Sequence, residues 1–445
     1  MSVREGWQRA RGASRAGRQA PAPGALSEER APSERLAVLV VAPDLPYPPS
    51  WGFGMRVYQL VRALAADHSV TLLCHARPDL VHFAEPLRAF CTEVRVVERA
   101  PEPGLARRVR QARSLLSATP YHASGMRTRQ LQAALDDCLR ATDFGVVQIE
   151  SSPLAGLRYR TGAALVLDEH NVESELLQRM HEAERHPGRR LFNLVEAVKY
   201  RRLEHRVWSR ASGCVTTSER EREHVRQRVP AARTAVVPNG VDPDHFRPGE
   251  APVRPDTLVF TGVLSYRPNY DAARYFIDEI LPRVRTSRPG VELTVVGYGE
   301  PKDLAALAAP GVTVTGWVDD VRPHLAEAAA VVVPIRMGSG TRLKVVEALS
   351  MRKPMVSTSV GCEGIDVEPG RHLLVADDPD RFAAAVCTVL ADPALGERLG
   401  RAGRQLVVDN YSWQRSGRLL AELYRELVPA GGPGLSTPAG QGEPG

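Results

Sequence analysis

Along most of the chain, unbroken apolar runs alternate with stretches of helical period. Leu36-Ala37-Val38-Leu39-Val40-Val41 is the first such run, and it suits a central parallel strand buried on both faces. A Pro- and Gly-rich loop over 43–54 follows. It leads to an expected helix over 55–67, with Val57, Leu60, Val61 and Leu64 as the buried stripe. The next strand is expected at 69–73. The loop therefore lies at the carboxyl end of the first strand, the edge where open parallel sheets bind ligands. Further strands are expected at 94–97, 146–149, 164–168, 214–216 and 235–237. Pro238, Asn239, Gly240 and Pro243 then break the rhythm and mark a turn and linker. A second series follows at 258–263, 291–296, 312–315, 330–334, 354–357 and 372–375, with helices between, including one over 272–285.

The pattern predicts an α/β chain of two similar halves that leave a cleft between them. The expected divisions are a disordered basic leader (1–35), a first half (36–237), a linker (238–256), a second half (257–410), a final helix (411–427) and a disordered Gly- and Pro-rich tail (428–445). Composition adds little: 43% hydrophobic and 25% charged residues are ordinary for a globular protein. The net charge of +6 is carried by arginine and suits nucleotide phosphates or an anionic membrane surface, without choosing between them. Six scattered cysteines with no Cys-x-x-Cys pair argue against a zinc ribbon or disulfide framework and fit a reducing cytosol. No apolar run has the length of a membrane span, and no apolar segment follows the N-terminal arginines as in a secretory signal. A long helix over 189–210 sets Leu191, Leu194, Val195, Val198 and Leu203 against a basic face of Arg189, Arg190, Lys199, Arg201, Arg202, Arg206 and Arg210. Such a face is either solvated on a packed helix or laid on anionic lipid.

The stretch richest in chemistry runs from Val331 to Leu349. A buried strand gives way to Met337-Gly338-Ser339-Gly340-Thr341 and then to a helix beginning near Arg342. Glycines at such a turn let an anion approach free N–H groups at the positive end of the helix. Arg342 and Lys344 add fixed charge, and Glu347 one turn on can accept hydrogen bonds from sugar hydroxyls. A plain structural turn with a solvated glutamate is the competing account. In the first half, Asp168-Glu169-His170-Asn171 ends a buried strand, either as part of a site or as a cap for the next helix. Gly297-Tyr298-Gly299 lacks the rest of a dinucleotide fingerprint, which removes a nicotinamide site. Asp242-Pro243-Asp244 and Asp378-Pro379-Asp380 have a metal-type spacing but sit where turns and caps are needed. There is no Gly-x-Ser-x-Gly and no His-Glu-x-x-His to support a hydrolase.

Taken in order, Asn239-Gly240-Val241-Asp242, Phe260-Thr261-Gly262, Val295-Val296-Gly297, Gly316-Trp317-Val318-Asp319, the stretch from Gly338 to Glu347, Gly361-Cys362-Glu363-Gly364 and Tyr411-Ser412-Trp413 resemble glycosyltransferase family 4. Pro46-Tyr47-Pro48-Pro49, Gly52 to Arg56 and Asp168 to Glu173 resemble a bacterial subgroup of it. The resemblance covers roughly residues 36 to 427. It implies a GT-B fold: two Rossmann-like domains facing across a cleft, the first on the acceptor side and the second holding the donor, with the last helix crossing back to the first.

The implied activity is retaining transfer of a sugar from a nucleotide-sugar donor to an acceptor hydroxyl, in glycan, glycolipid or natural-product synthesis. No metal and no cofactor are expected, the donor being a substrate. By position, Glu347 is expected on the ribose, Lys344 and Arg342 at the diphosphate, and His170 on the transferred sugar; these four are the expected catalytic set. Gly338, Ser339, Gly340 and Thr341 are expected to contact the donor, with Gly262 beside them and Trp317 near the base. Gly52, Gly54 and Arg56 are expected to approach the donor from the other domain. The chain departs from the family at Ser339, where members carry a glutamate, and at Val263 and Pro268, where they carry Arg and Lys. Arg342 and Lys344 are read as replacing that basic charge. Competing readings are a nucleotide-sugar 2-epimerase of the same fold and a degenerate, non-catalytic binding module. The acceptor is lipid-linked or soluble, nucleic acid is not expected, and the expected location is the cytoplasm, including the inner face of the membrane.

Overall fold

The computed structural model describes residues 35–428, apart from 50, 103, 185, 250 and 339, together with 434–436. The leader expected before Arg35 and most of the tail expected over 428–445 lie outside the described residues.

In the first half, β1 (Arg35–Ala42), β2 (Ser69–Ala76), β3 (Glu93–Glu98), β4 (Val146–Glu150), β5 (Ala164–Glu169), β6 (Gly213–Thr216) and β7 (Thr234–Val236) form a parallel sheet in the order β3-β2-β1-β4-β5-β6-β7. β1 lies inside it, with Val38 registered to Val70 on one side and Val146 on the other. Val38 to Val41 have no exposed surface, as an unbroken apolar run in a two-sided core requires. The order reverses between β1 and β4, which opens a crevice at their carboxyl ends. Of the tail, Leu435–Ser436 adds a short antiparallel partner to the start of β1.

Two helices correct the sequence expectation. α1 spans Gly52–Asp67, so Gly52 and Gly54 stand in its first turn rather than in the preceding loop. The first-turn N–H groups have no intrahelical partner in any helix, so poor helix formers begin one at little cost. Gly54 also has a packing reason: a Cβ there would lie 2.9 Å from the Trp51 indole that covers the turn. α2 spans Gly104–Leu115, and α3 spans Pro187–Trp208, beginning and ending just before the helix expected over 189–210. The inward side of α3 takes only Leu203 from the expected apolar stripe. It carries Asn193, Glu196, Lys199, Tyr200, Glu204 and Trp208, while Leu191 is 61% and Val198 39% exposed. Lys199, expected on the solvated face, is buried because its ammonium donates to Glu196 at 2.7 Å.

In the second half, β8 (Arg254–Thr261), β9 (Glu292–Val296), β10 (Val312–Val314), β11 (Ala328–Val333), β12 (Met355–Ser357) and β13 (Leu374–Val375) form a parallel sheet in the order β10-β9-β8-β11-β12-β13. The winding repeats that of the first sheet, with the switch between β8 and β11. Phe276 and Phe382 meet edge to face beneath it, ring centroids 6.0 Å apart. α4 (Leu343–Ser350) follows the loop after β11. Asp378 accepts a hydrogen bond from the Arg381 amide as the cap of the helix Pro379–Ala391, the turn role expected for its Asp-Pro-Asp.

The chain divides into compact units at Gly240/Val241, and after Ser412 it returns to the first. α5 (Trp413–Leu427) packs on α1 there, its Leu420, Leu423 and Tyr424 joining Leu60, Val61 and Leu64 in one core. Gly417 lets the helices meet closely, since a Cβ at that position would lie 2.5 Å from the Ala63 methyl. Two doubly wound halves and a returning helix are the expected architecture. If α5 is an integral part of the first unit, Leu420→Ala lowers its stability by about 3 kcal/mol, as large-to-small changes at fully buried sites do. Urea unfolding measures this, and a loss below about 1 kcal/mol would mean that the helix is only loosely attached.

Candidate functional site

Each sheet carries a cluster of polar residues at the carboxyl edge beside its switch point. In the first unit, β4 ends at Glu150 and β5 at Asp168 and Glu169, and the register sets Glu150 opposite Asp168. Two carboxylates so close and dry need cations. Arg56 from α1 provides one: Nε donates to Asp168 Oδ2 at 3.0 Å and Nη2 to Oδ1 at 2.9 Å. Its Nη1 donates to the Val237 carbonyl at 2.8 Å and to Asn239 Oδ1 at 3.1 Å. Arg56 is 1% exposed and engaged through all three nitrogens, so it stands as a brace inside the unit. Asp168 is held by that brace and caps no helix; Val172 occupies the cap position of the next one.

His170 follows directly. Its Nε2 lies 2.6 Å from Glu150 Oε2, and the Phe53 ring stacks on the imidazole with centroids 4.2 Å apart. Gln148 donates to Glu150 Oε1 at 2.6 Å, and the Tyr424 hydroxyl of α5 donates to Gln148. The returning helix is thus linked through Gln148 and Glu150 to His170. Burial, reinforced by the Asp168 charge, raises the Glu150 pKa, and His170 opposes the rise. Glu150, Asp168 and His170 present ligand atoms within 4.8 Å of one another, a set able to hold a metal by spacing alone. The bidentate Arg56 already supplies the positive charge on the Asp168 side, so the donor set suits a cation poorly. Gly52 and Gly54 lie in the turn of α1 that carries Phe53.

In the second half of the sequence, the loop after β11 leads to α4. Arg342 occupies the cap position of α4 and its side chain makes no cap hydrogen bond there; the first amides of a helix lack intrahelical partners and favour an anion. Gly338 takes φ +140° and Gly340 φ +73°, conformations that favour glycine. A Cβ at Gly338 would sit 3.0 Å from Arg342 Nη2, so that guanidinium folds against the loop backbone. Thr341 is half-buried beside it, and Ser339 lies outside the described residues.

Lys344 reaches back to the end of β8. Its Nζ donates to Asn269 Oδ1 at 2.8 Å and lies 4.3 Å from the centre of the Phe260 ring. Gly262 makes room, since a Cβ there would come within 2.7 Å of that ammonium. Gly297 at the end of β9 is equally constrained by the Gly262 carbonyl. Burial and the Arg342 charge lower the Lys344 pKa to about 7. Burial raises Glu347 to about 7, against the pull of Lys344. Trp317 lies beside Tyr298, ring centroids 5.4 Å apart, a half-buried aromatic pair at the ends of β9 and β10.

The structure therefore gathers Gly262, Lys344, Arg342, Glu347 and Gly338 in one unit, and Gly52, Gly54, Arg56 and His170 in the other. Sequence reasoning missed Glu150, Gln148, Phe53, Tyr424 and Asn269. Gln148 and Glu150 were detectable as alternate polar positions in an otherwise apolar strand; the others had no local signal.

Two doubly wound halves, each with its polar cluster at the switch edge of its sheet, make the GT-B architecture. Residues 52–245 match the family model described as Glycosyltransferase Family 4, and residues 255–392 match Glycosyl transferases group 1. Each half of the chain thus matches a glycosyltransferase family model. It is 30% identical to the glycogen synthase of Mycobacterium tuberculosis over 209 residues, 43% of this chain and 48% of that protein. It is also 30% identical, over 226 residues, to the GDP-mannose-dependent alpha-(1-6)-phosphatidylinositol monomannoside mannosyltransferase of the same organism, covering 44% of this chain and 57% of that protein. The chain spans about half the length of the curated relatives it matches. Sucrose-phosphate synthase from Thermosynechococcus elongatus has a similar fold, with a TM-score of 0.67 at 19% identity over 88% of this chain and 99% of that one.

A lysine held at about 7 in the free protein takes up a proton when a diphosphate docks beside it at higher pH. Nucleoside diphosphate affinity is therefore expected to fall as pH rises above that value, by up to about tenfold per unit. Calorimetry in buffers of differing ionisation heat measures the uptake. An affinity flat across this range, with no proton uptake, would remove Lys344 from the site.

Proposed function

We propose that the chain transfers a sugar from a nucleotide-sugar donor to an acceptor hydroxyl with retention of anomeric configuration. The second unit holds the donor and the first unit the acceptor side. The observation that carries this reading is the uncapped start of α4 with Arg342 and Lys344 beside it. The anomeric bond to the diphosphate breaks, the acceptor oxygen forms the new bond, and the acceptor proton leaves with the phosphate oxygen. Negative charge grows on the diphosphate in that step. Fixed cations and helix amides stabilise it without reorganising, the largest catalytic effect such a site offers. In this reading the transfer needs no metal.

Glu347 is the ribose acceptor, the Tyr298–Trp317 pair flanks the base, and His170 meets the transferred sugar with its ring held by Phe53 and Glu150. Gly338, Ser339, Gly340 and Thr341 give the loop contacts.

The acceptor in this proposal is lipid-linked, and the enzyme works as a peripheral protein at the inner face of the membrane. A phosphatidylinositol mannosyltransferase among the relatives and the surplus of arginine support that choice. Among the described residues, no helix is long and apolar enough to cross a membrane.

Thermal unfolding against UDP, GDP, ADP and dTDP with their sugars is expected to show one nucleotide that stabilises the wild type. A ligand at about 100 times its dissociation constant adds about 2.7 kcal/mol. That nucleotide should not stabilise the Lys344→Ala, Glu347→Ala double variant. With the donor so identified, Lys344→Ala is expected to lower turnover by about a hundredfold; near wild-type turnover would reject the assignment. An isomeric sugar formed from donor alone would replace transfer by epimerisation, and no nucleotide response at all would point to a degenerate module.

A further inference from the structure

On an ordinary surface helix the apolar stripe faces the core and the charges face water. α2 (Gly104–Leu115) is turned the other way. Leu105, Val109 and Ala112 share one face at helical spacing, and Leu116 just past the end continues it. All four are exposed, Leu105 at 77% and Leu116 at 95%. Arg108 and Arg113 border this stripe, one on each side, and are themselves exposed. The one buried residue of the helix is Ser114, on the opposite face.

The polar face is moored, which is why the helix does not roll over. The Arg110 guanidinium lies 4.1 Å above the Tyr121 ring and donates to the Tyr121 carbonyl at 2.9 Å. The Tyr121 amide donates to Glu196 of α3 at 2.6 Å. Glu196 accepts from Lys199, and Lys199 also donates to the Ser114 carbonyl at 2.6 Å. The start of α3 follows the same plan: Glu196 and Lys199 point into this network while Leu191 and Val198 face outward with Arg189 and Arg190 nearby.

We propose that the outward face of α2, with Leu191 and Val198 of α3, is an interfacial docking surface for an anionic lipid bilayer. The occupant follows from charge and shape together. α2 contains four arginines and no acid, and its apolar side chains are few and lie along one stripe, as in a helix lying in the headgroup plane. The apolar side chains enter the acyl boundary and Arg108 and Arg113 meet lipid phosphates. Another basic surface lies further along α3, a groove lined by Arg201, Arg202, His205, Arg206, Ser209 and Arg210. It has charge without apolar residues and serves as the internal control. The inference deepens the peripheral-membrane reading above, yet it is tested without donor or acceptor, so it stands or falls apart from the transfer chemistry.

The test is co-sedimentation of the full chain with vesicles of phosphatidylcholine alone, or of phosphatidylcholine mixed with phosphatidylglycerol. The wild type is expected to bind the mixed vesicles in preference. The triple variant Leu105→Gln, Val109→Gln, Leu116→Gln is expected to lose about tenfold or more in partition coefficient, because apolar burial drives insertion. Arg108→Gln with Arg113→Gln is expected to lower binding and remove the preference for phosphatidylglycerol. An environment-sensitive dye on Leu116→Cys is expected to report an apolar surrounding on vesicle addition, a readout that changes only one fully exposed residue. The proposal is overturned if wild type binds neither vesicle, if the triple variant binds undiminished, or if the dye stays in water. It is also overturned if binding follows Arg202→Gln and Arg206→Gln instead, or if the triple variant merely converts a dimer to a monomer, which would make the face a contact between copies.

Discussion

A guanidinium with almost no access to water organises the first half of this protein. Arg56 enters from α1, clamps Asp168 at the end of β5 and takes the Val237 carbonyl and Asn239 where the chain leaves β7. Three segments far apart in sequence are thereby fixed at one point. A buried charge pair is weak as net stabilisation, but losing either partner strands the other, at a cost of about 3–5 kcal/mol. The geometry is therefore held by the penalty for breaking it. With Asp168 immobile, His170 two residues on has a fixed base, and Glu150 and Phe53 complete the hold on its ring. The Tyr424 hydroxyl brings α5 into the same arrangement through Gln148, so the helix that closes the fold also supports the candidate site.

The same principle explains the surface. Glu196 and Lys199 form a buried pair that draws the Tyr121 amide and the Ser114 carbonyl to it. Once those groups point inward, the outer sides of α2 and of the start of α3 must carry what remains, which includes exposed leucines and valines. Polar satisfaction outranks apolar burial here because an unpaired buried ammonium costs more than a few exposed methyl groups. A chain that exposes apolar residues for that reason acquires a sticky face, and the flanking arginines restrict what can settle on it.

What the sequence disclosed and what it hid follow from the range of the interactions. Parallel strands were legible because Leu36 to Val41 and Val331 to Val333 admit few environments other than a two-sided core. The repeated winding followed from their order. The start of α1 was misplaced because Gly52 and Gly54 look like loop residues, and the Trp51 indole over the turn is a three-dimensional fact. The inward face of α3 was misread because Lys199 looks solvated until Glu196 and the Ser114 carbonyl are seen beside it. The loop before α4 drew attention in the sequence through Gly338, Arg342 and Lys344, and the structure sets Lys344 beside Asn269 and Phe260 there. Asn269 and Glu150 were not legible, since each acts on a partner supplied by another segment.

In the proposed reading that loop is a binding site strained before its ligand arrives. Lys344 lies under enough protein to bring its pKa down to about 7, with Arg342 adding to the push. Asn269 Oδ1 and the Phe260 ring hold the ammonium but carry no full negative charge. Glu347, the acid near enough to act on it, is itself raised to about 7 and supplies only part of one. The folded protein thus bears an electrostatic cost at this position that an interior chosen only for stability would not contain. A diphosphate set against the α4 amides would supply the missing charge and let both cations stay protonated at neutral pH. In that reading the unfavourable free loop and the favourable occupied one are two sides of the same arrangement, and the difference between them would become binding free energy.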